Sequence, residues 1–402
     1  MKLLIVSANY PPRIGGPASS VPELAERLAE KGHSVKVVTL RFPAYAKTEK
    51  KKGFTVHRAR HLSGNPKKAS ALDNIFSVFS MAFLATPIMR RWNPDVVHAH
   101  DLNLSAAAAV LAKKIARSKA PLITKYTGDL SLEFLINYSS LGFEKIGKRY
   151  RGGKAELPLK ARVLDSLQSW LVKKSALVTC PSEFQQKQLL RRGVPGKKTV
   201  LLRNAVDLAL FNPKKYARSE KFVLFAGRIV PWKGLDELLE AFTGINGTKL
   251  KIAGSGKSEA FYRKKARELG LQDKVEFLGG IEHKKMPALI SKSVLVVMPS
   301  LYDPFPHGML EVLAMEKPLL AARVCGIPEV VKHLETGYLV RAGSAEELKK
   351  GMKELLGKKS LRKKIAKNGR GHVRKNYSWE KLLADFELLY GKAVQESEKI
   401  HK

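Results

Sequence analysis

Short apolar runs alternate with stretches whose apolar residues recur every three or four positions, and the alternation repeats along most of the chain. Residues 3–8 read as a buried parallel strand, followed by a Gly/Pro loop over 9–17, a helix over about 22–31 and a second strand over 35–40. Further strands are predicted at 95–98, 122–126 and 176–179, with an Ala-rich helix over 104–116. Ser182 and Gln185 have the spacing of a capping box at the head of another helix. The alternation loosens after Asn204 through DLALFNPKKYARSEK and restarts at Phe222, which places a boundary near 205–218. Strands at 249–253, 275–278, 294–298, 319–321 and 338–340 then repeat the scheme. This pattern predicts an α/β protein of two Rossmann-like, doubly wound domains, residues 1–205 and 206–375. A helix with apolar positions Leu382, Leu383, Phe386, Leu389 and Tyr390 follows, and the segment 376–402 is expected to pack back on the first domain.

Length agrees with two domains, since 402 residues exceed what one core sustains. The unusual quantity is charge. Lys and Arg number 73 against 36 Asp and Glu, a net charge of +37, of which residues 1–210 hold +22. An anionic partner is expected: phosphate-bearing substrate, membrane surface or nucleic acid. A basic segment, 41–68, carries Arg41, Lys47, Lys50, Lys51, Lys52, Arg58, Arg60, Lys67 and Lys68 with only Glu49 against them, and reads either as a solvated face or as a contact with an anionic membrane. The apolar run that follows, Ile75 to Met89, is 15 residues long and contains Ser77, Ser80 and Pro87, so it is expected to be too short to span a bilayer. Cys180 and Cys325 form no disulfide or zinc pattern, and KLLIVSA lacks the features of a signal peptide, so a cytoplasmic location is expected.

Candidate chemistry belongs in the loops after strands, where open α/β sheets bind ligands. In PPRIGGPASS, Gly15 and Gly16 permit close backbone approach, and the helix that follows offers N–H groups to an anion. In GRIVPWKG, Arg228 and Lys233 are two cations suited to a diphosphate. IAGSGK resembles part of a phosphate loop but reads better as a plain strand-to-helix turn. Between Met298 and Val331, Asp303 sits in a loop after a strand, Gly308 is placed to open a helix, and Glu311 lies on its first turns, with GIPE (Gly326 to Glu329) beyond. Scaffold alone explains this set poorly. His98 and His100 flank Ala99 at a strand end, and one histidine contacting substrate is expected rather than a metal pair.

Together these residues resemble the retaining glycosyltransferases of the GT-B fold, family 4, over essentially the whole chain. PPRIGGPASS is similar to the family's opening loop, PDVVHAHD and PLITKYTGD to its next strand ends, RNAVDLALF to its linker, GRIVPWKG to its diphosphate site, and Asp303 to Glu311 to its paired-acid motif. The resemblance implies two domains facing across a cleft, with a UDP- or GDP-linked sugar held between them. It implies donor-binding roles for Gly15, Gly16, Arg228, Lys233, Gly308, Met309, Leu310 and Glu311, with Glu311 at the ribose. It implies catalytic or sugar-contacting roles for Asp303, His100 and Asp129. No metal or other cofactor is expected, and the acceptor is a glycan or lipid-linked sugar. Departures from the family pattern are Asp303 for the usual Glu, Thr127 for a common His, and Glu316 and Cys325 for common glycines. Two alternatives stay open: a sugar-nucleotide epimerase or phosphorylase-like enzyme on the same fold, and a basic nucleic-acid binder. The second is disfavoured by an aromatic content of 8% and the lack of a standard binding motif.

Overall fold

The computed structural model describes residues 1–13, 16–63, 70–132, 135, 158–217 and 222–401. The chain divides into two compact units, one of Met1–Pro181, Gln185–Leu202 and Leu383 onward, the other of Ser182–Phe184 and Arg203–Leu382. Each is a sheet with helices on it.

In the first unit the strands are β1 (Lys2–Val6), β2 (Ser34–Leu40), β3 (Thr48–Lys51), β4 (Phe54–Ala59), β5 (Val96–Ala99), β6 (Leu122–Lys125), β7 (Leu177–Cys180) and β8 (Thr199–Leu201). They pair in the order β3-β4-β2-β1-β5-β6-β7-β8, parallel except for the β3–β4 hairpin. The helices are α1 (Gly16–Glu30), α2 (Ala71–Trp92), α3 (Leu104–Ala116), α4 (Leu159–Lys174) and α5 (Glu183–Arg191), the last belonging to this unit from Gln185 onward. Right-handed crossovers put α1 on one face of this sheet and α2, α3 and α4 on the other. α3 touches both α2 and α4. Its Ala106, Ala108, Ala109 and Ala112 are fully buried, small enough to let it lie close to the strands.

In the second unit β9 (Phe222–Ala226), β10 (Lys249–Ala253), β11 (Val275–Gly279), β12 (Ser293–Met298), β13 (Leu319–Ala322) and β14 (Tyr338–Val340) form an all-parallel sheet, ordered β11-β10-β9-β12-β13-β14. Around it stand α6 (Leu235–Phe242), α7 (Glu259–Glu268), α8 (Met286–Ser291), α9 (His307–Ala314), α10 (Ile327–Val330), α11 (Ala345–Gly357) and α12 (Lys359–Asn376). Every residue of β12 and β13 is buried, as a sheet covered on both faces requires. The last helix, α13 (Trp379–His401), is longer than its apolar pattern suggested. From Leu383 onward it completes the first unit, where Phe386 and Tyr390 lie against His98.

Three expectations need correction. Helix α1 begins at Gly16 and holds Pro22 inside it, not at its start. The apolar segment is not a 15-residue piece: α2 runs for 22 residues, long and apolar enough by length and composition to cross a membrane. Its hydroxyls do not interrupt it, because Ser77 and Thr86 donate to the carbonyls of Asp73 (2.6 Å) and Ala82 (2.8 Å) one turn back. Nor does the basic segment present all its charge to solvent. Arg58 is buried, hydrogen-bonded to Glu49 at 2.5 Å and set near the rings of Tyr10 and Tyr45, and Lys51 pairs with the same glutamate. Lys67 and Lys68 lie outside the described residues.

Candidate functional site

The second unit gathers its chemistry at the carboxyl ends of its strands. After β9 the chain passes Arg228 and makes a tight turn, Pro231–Lys233, before α6. Trp232 is buried, and the exposed Arg228 sets its guanidinium 5.5 Å from the indole. Gly234 follows with φ +73°, where an added Cβ would lie 2.0 Å from the carbonyl oxygen of Pro299. Leu301 and Tyr302 donate backbone N–H bonds to the Trp232 carbonyl at 2.8 and 3.3 Å. The loops after β9 and β12, neighbouring strands, are thereby fastened to each other. That fastening brings the ammonium of Lys233 onto the carboxylate of Asp303, 70 residues away in sequence, with both side chains largely buried.

A third loop closes on the first two. Gly326 donates to the Pro304 carbonyl at 3.1 Å, and a Cβ there would meet that oxygen at 2.3 Å. Cys325 sits against Asp303, and burial pushes its thiol well above the usual range. It holds φ +50°, and Glu316 holds φ +52°, so both non-glycine residues occupy the left-handed region that favours glycine. A fourth contact comes from the far edge of the sheet, where His283 Nε2 lies 2.7 Å from Glu311 Oε1. The His283 ring is in turn 5.3 Å from that of Phe211.

Helix α9 starts at His307, one residue before the position expected. Met309 and Leu310 are fully buried, so what they offer outward is backbone. The first-turn N–H groups of a helix have no acceptor within it and attract anions, while Glu311 projects one turn on. Arg228, Lys233, Asp303, Gly308, Met309, Leu310 and Glu311 therefore converge on one end of one sheet.

The IAGSGK turn is the strand-to-helix connection expected, leading from β10 to α7, and its glycines are closely packed. Gly254 has φ +146° and a Cβ there would stand 1.8 Å from the Gly227 carbonyl oxygen, while one at Gly256 would stand 2.0 Å from that of Ile229. Gly227 and Ile229 donate back to Ala253 and Ser255, each at 3.0 Å. The turn holds the Arg228 loop in place.

The candidates of the first unit are arranged differently. His100 follows β5, buried, 3.3 Å from the Ser20 hydroxyl, with its ring 5.3 Å from that of His98. Asp129 is buried and engaged by Arg192, by the Ser131 hydroxyl (2.6 Å) and by the Leu132 N–H (3.1 Å). Asp101 is spent on helix α3, accepting from Asn103 and Ser105 N–H groups at 3.0 and 3.2 Å. Gly16 is the first residue of α1, and Gly15 lies outside the described residues.

His98 is fully buried, with Nδ1 2.8 Å from the Tyr390 hydroxyl, and burial, aided by the charge of Lys125, drives its pKa down to about 3. The unfolded chain takes up a proton here below about pH 6.5, and the folded chain does not until about 3. Folding stability is therefore whole above that window and falls as pH drops through it, by up to about 1.4 kcal/mol per pH unit. Chemical denaturation between pH 7 and 5 measures the slope. It should flatten in His98→Gln, and an unchanged slope would assign the effect to other groups.

One contributor escaped sequence reading. His283 lies in GGIEHKK, where only its distance from Glu311 in space singles it out. Glu329 of the GIPE turn accepts from the N–H groups of Glu183 (2.9 Å) and Phe184 (3.0 Å) and pairs with Arg203, all within the second unit.

Residues 209–372 match the family model for glycosyl transferases group 1, and residues 15–205 match the model for the glycosyl transferase 4-like domain. The chain belongs to this glycosyltransferase family. An uncharacterised glycosyltransferase of Methanocaldococcus jannaschii is 26% identical, over 98% of this chain and 99% of its own length. Among solved structures, sucrose-phosphate synthase of Thermosynechococcus elongatus superposes with a TM-score of 0.81 at 21% identity, covering 97% of this chain and 98% of the other. HepE of Anabaena, solved with UDP, has a TM-score of 0.74 at 18% identity, covering 98% and 100%. The fold is GT-B, and this glycosyltransferase draws its sugar from a nucleotide-sugar donor.

Proposed function

We propose that the glycosyltransferase moves a hexose from a UDP- or GDP-sugar to an acceptor hydroxyl with retention of configuration and without a metal ion. We also propose that the acceptor is a glycan or a lipid-linked sugar at the cytoplasmic face of a membrane. The observation that carries the donor reading is the placement of Lys233 against Asp303, beside an exposed Arg228 and the first turn of α9. Two cations and a helix N-terminus answer the charge that grows on a departing diphosphate. HepE, similar in fold, was solved with UDP, which favours the uridine donor among the two.

In this reading the donor's diphosphate takes the Lys233 ammonium, and Asp303, released from it, turns to the hydroxyls of the sugar. The bond between the anomeric carbon and the diphosphate oxygen breaks, and an acceptor oxygen bonds to that carbon from the same face. The acceptor's proton goes to the leaving diphosphate. Glu311 accepts from the ribose hydroxyls, and His283, released from Glu311, frees that carboxylate. Arg228 holds the outer phosphate charge, and His100 and Asp129 stand on the acceptor side as candidate contacts.

A panel of UDP- and GDP-sugars with membrane extract as acceptor tests the reading, with NMR of the product and with EDTA present. Turnover of one donor to a retained linkage is expected. No binding or consumption of any donor rejects the donor site, an inverted product rejects retention, and loss of activity in EDTA rejects metal independence. Glu311→Gln should raise the donor KM by about 10- to 100-fold with a smaller change in kcat, since a charged ribose acceptor is worth about 1.5–3 kcal/mol. Titration of the free nucleoside diphosphate checks that the loss lies in binding.

A further inference from the structure

The outer surface of the first unit carries two apolar stripes that its core does not use. On α2, Leu72, Ile75, Phe79 and Phe83 are exposed, at 74, 56, 48 and 63%. Their spacing of three and four puts them in one line along the helix. The opposite side of α2, with Ser77, Met81, Ala85 and Met89, is buried. On α4 the same arrangement recurs: Val163, Leu167 and Trp170 are exposed at 58, 39 and 46%, while Ala161, Gln168, Leu171 and Val172 are buried. Because α3 lies between these helices in one layer, both stripes face away from the same side of the sheet.

Charge decides what covers them. Arg90 and Arg91 end α2, and Lys160, Arg162, Lys173 and Lys174 flank the α4 stripe. The two helices contain only two acids. Asp73 is buried in the cap of α2, hydrogen-bonded to Ser70, and Asp165 is paired with Arg192 at 2.8 Å. Lines of exposed Phe, Leu and Trp bordered by cations that pair with no acid among the described residues match a bilayer surface with anionic headgroups, where rings enter the acyl boundary and cations meet phosphates. An apolar partner protein or a second copy of so basic a chain has no use for that border, and two copies joined face to face would set cation against cation.

We propose that α2 and α4 are the face by which the glycosyltransferase docks, in the plane of the interface, on an anionic membrane. This docking gives a physical basis to the membrane-associated acceptor proposed above, but binding can be read without any transfer step, so the two stand or fall separately. The inner side of α2 stays packed on α3 and the sheet, so the helix lies on the bilayer and does not cross it.

Flotation of the full chain with vesicles tests the docking, comparing pure phosphatidylcholine with phosphatidylcholine containing about one-third phosphatidylglycerol. Binding to the anionic vesicles, weakened by 0.5 M salt, is expected, with at least about tenfold weaker partition for Phe79→Gln with Phe83→Gln and for Leu167→Gln with Trp170→Gln. All these positions are exposed, and melting curves close to the parent's establish that the variants fold. Equal partition of parent and variants overturns the proposal, as does failure to bind anionic vesicles. A dimer in light scattering that the same variants dissolve, with no vesicle binding, assigns the stripes to a second copy. Donor consumption with a soluble acceptor, measured alongside, should be unchanged in both variants, so loss of docking with intact transfer separates this surface from the active site.

Discussion

Lys233→Ala should lower transfer by about 10²- to 10³-fold while the protein remains folded. The ammonium is largely buried and rests on Asp303, so its removal leaves an unneutralised carboxylate where the donor's diphosphate must approach. Attraction becomes repulsion, and both binding and the chemical step suffer. Lys233→Arg retains charge but adds bulk in a turn fixed by Trp232 and Gly234, and should recover only part of the loss. Steady-state kinetics with a saturating acceptor, with circular dichroism as the control, measure both variants. Activity within a few-fold of the parent in Lys233→Ala would remove this lysine from the diphosphate site.

Gly254→Ala should be the most damaging single methyl in the second unit. The new Cβ would stand 1.8 Å from the Gly227 carbonyl oxygen on a backbone of φ +146°, and because the atom it meets is backbone, no rotamer change relieves the contact. The Arg228 loop must move or the strand ends must part. The expected cost is on the order of 3 kcal/mol or more, a fall in Tm of roughly 10 °C for a unit of this size. Gly270→Ala is the matched control. Its φ is +68°, yet nothing lies within 4 Å of the added carbon, so only the left-handed backbone penalty of about 1 kcal/mol applies. Calorimetry of the two side by side distinguishes collision from conformation, and equal losses would refute the close approach of the two loops.

The parallel strands were legible because strands covered on both faces must be apolar throughout, as VLVVM in β12 is. Helix extents were harder to read. The serines of α2 look like interruptions in a string of letters, and only the i−4 carbonyl that each hydroxyl reaches shows otherwise for Ser77. Arg228, Lys233, Asp303 and Glu311 were readable as chemistry, since charged residues in Gly/Pro loops after buried strands have little structural reason to be there. Their pairings were not. Lys233 meets Asp303 because β9 and β12 are neighbours in the sheet, and His283 meets Glu311 because the loop after β11 returns across it. Strand order sets both, and strand order is not written in any local run of residues. The same holds for Arg58, whose charge reads as surface until its partner Glu49 is placed on the adjoining strand of a hairpin.

The contact between His98 and Tyr390 joins residues 292 apart, with the whole second unit encoded between them. During synthesis the ribosome must therefore release some 180 residues of the other unit before the piece that covers His98 emerges. The second unit has its strands contiguous in sequence and is free to fold as it appears, whereas the amino-terminal sheet waits, its β5 side chains uncovered, until the last helix arrives. The half translated first is the half finished last, and a nascent chain stalled before Leu383 would expose a sticky, unfinished surface to chaperones.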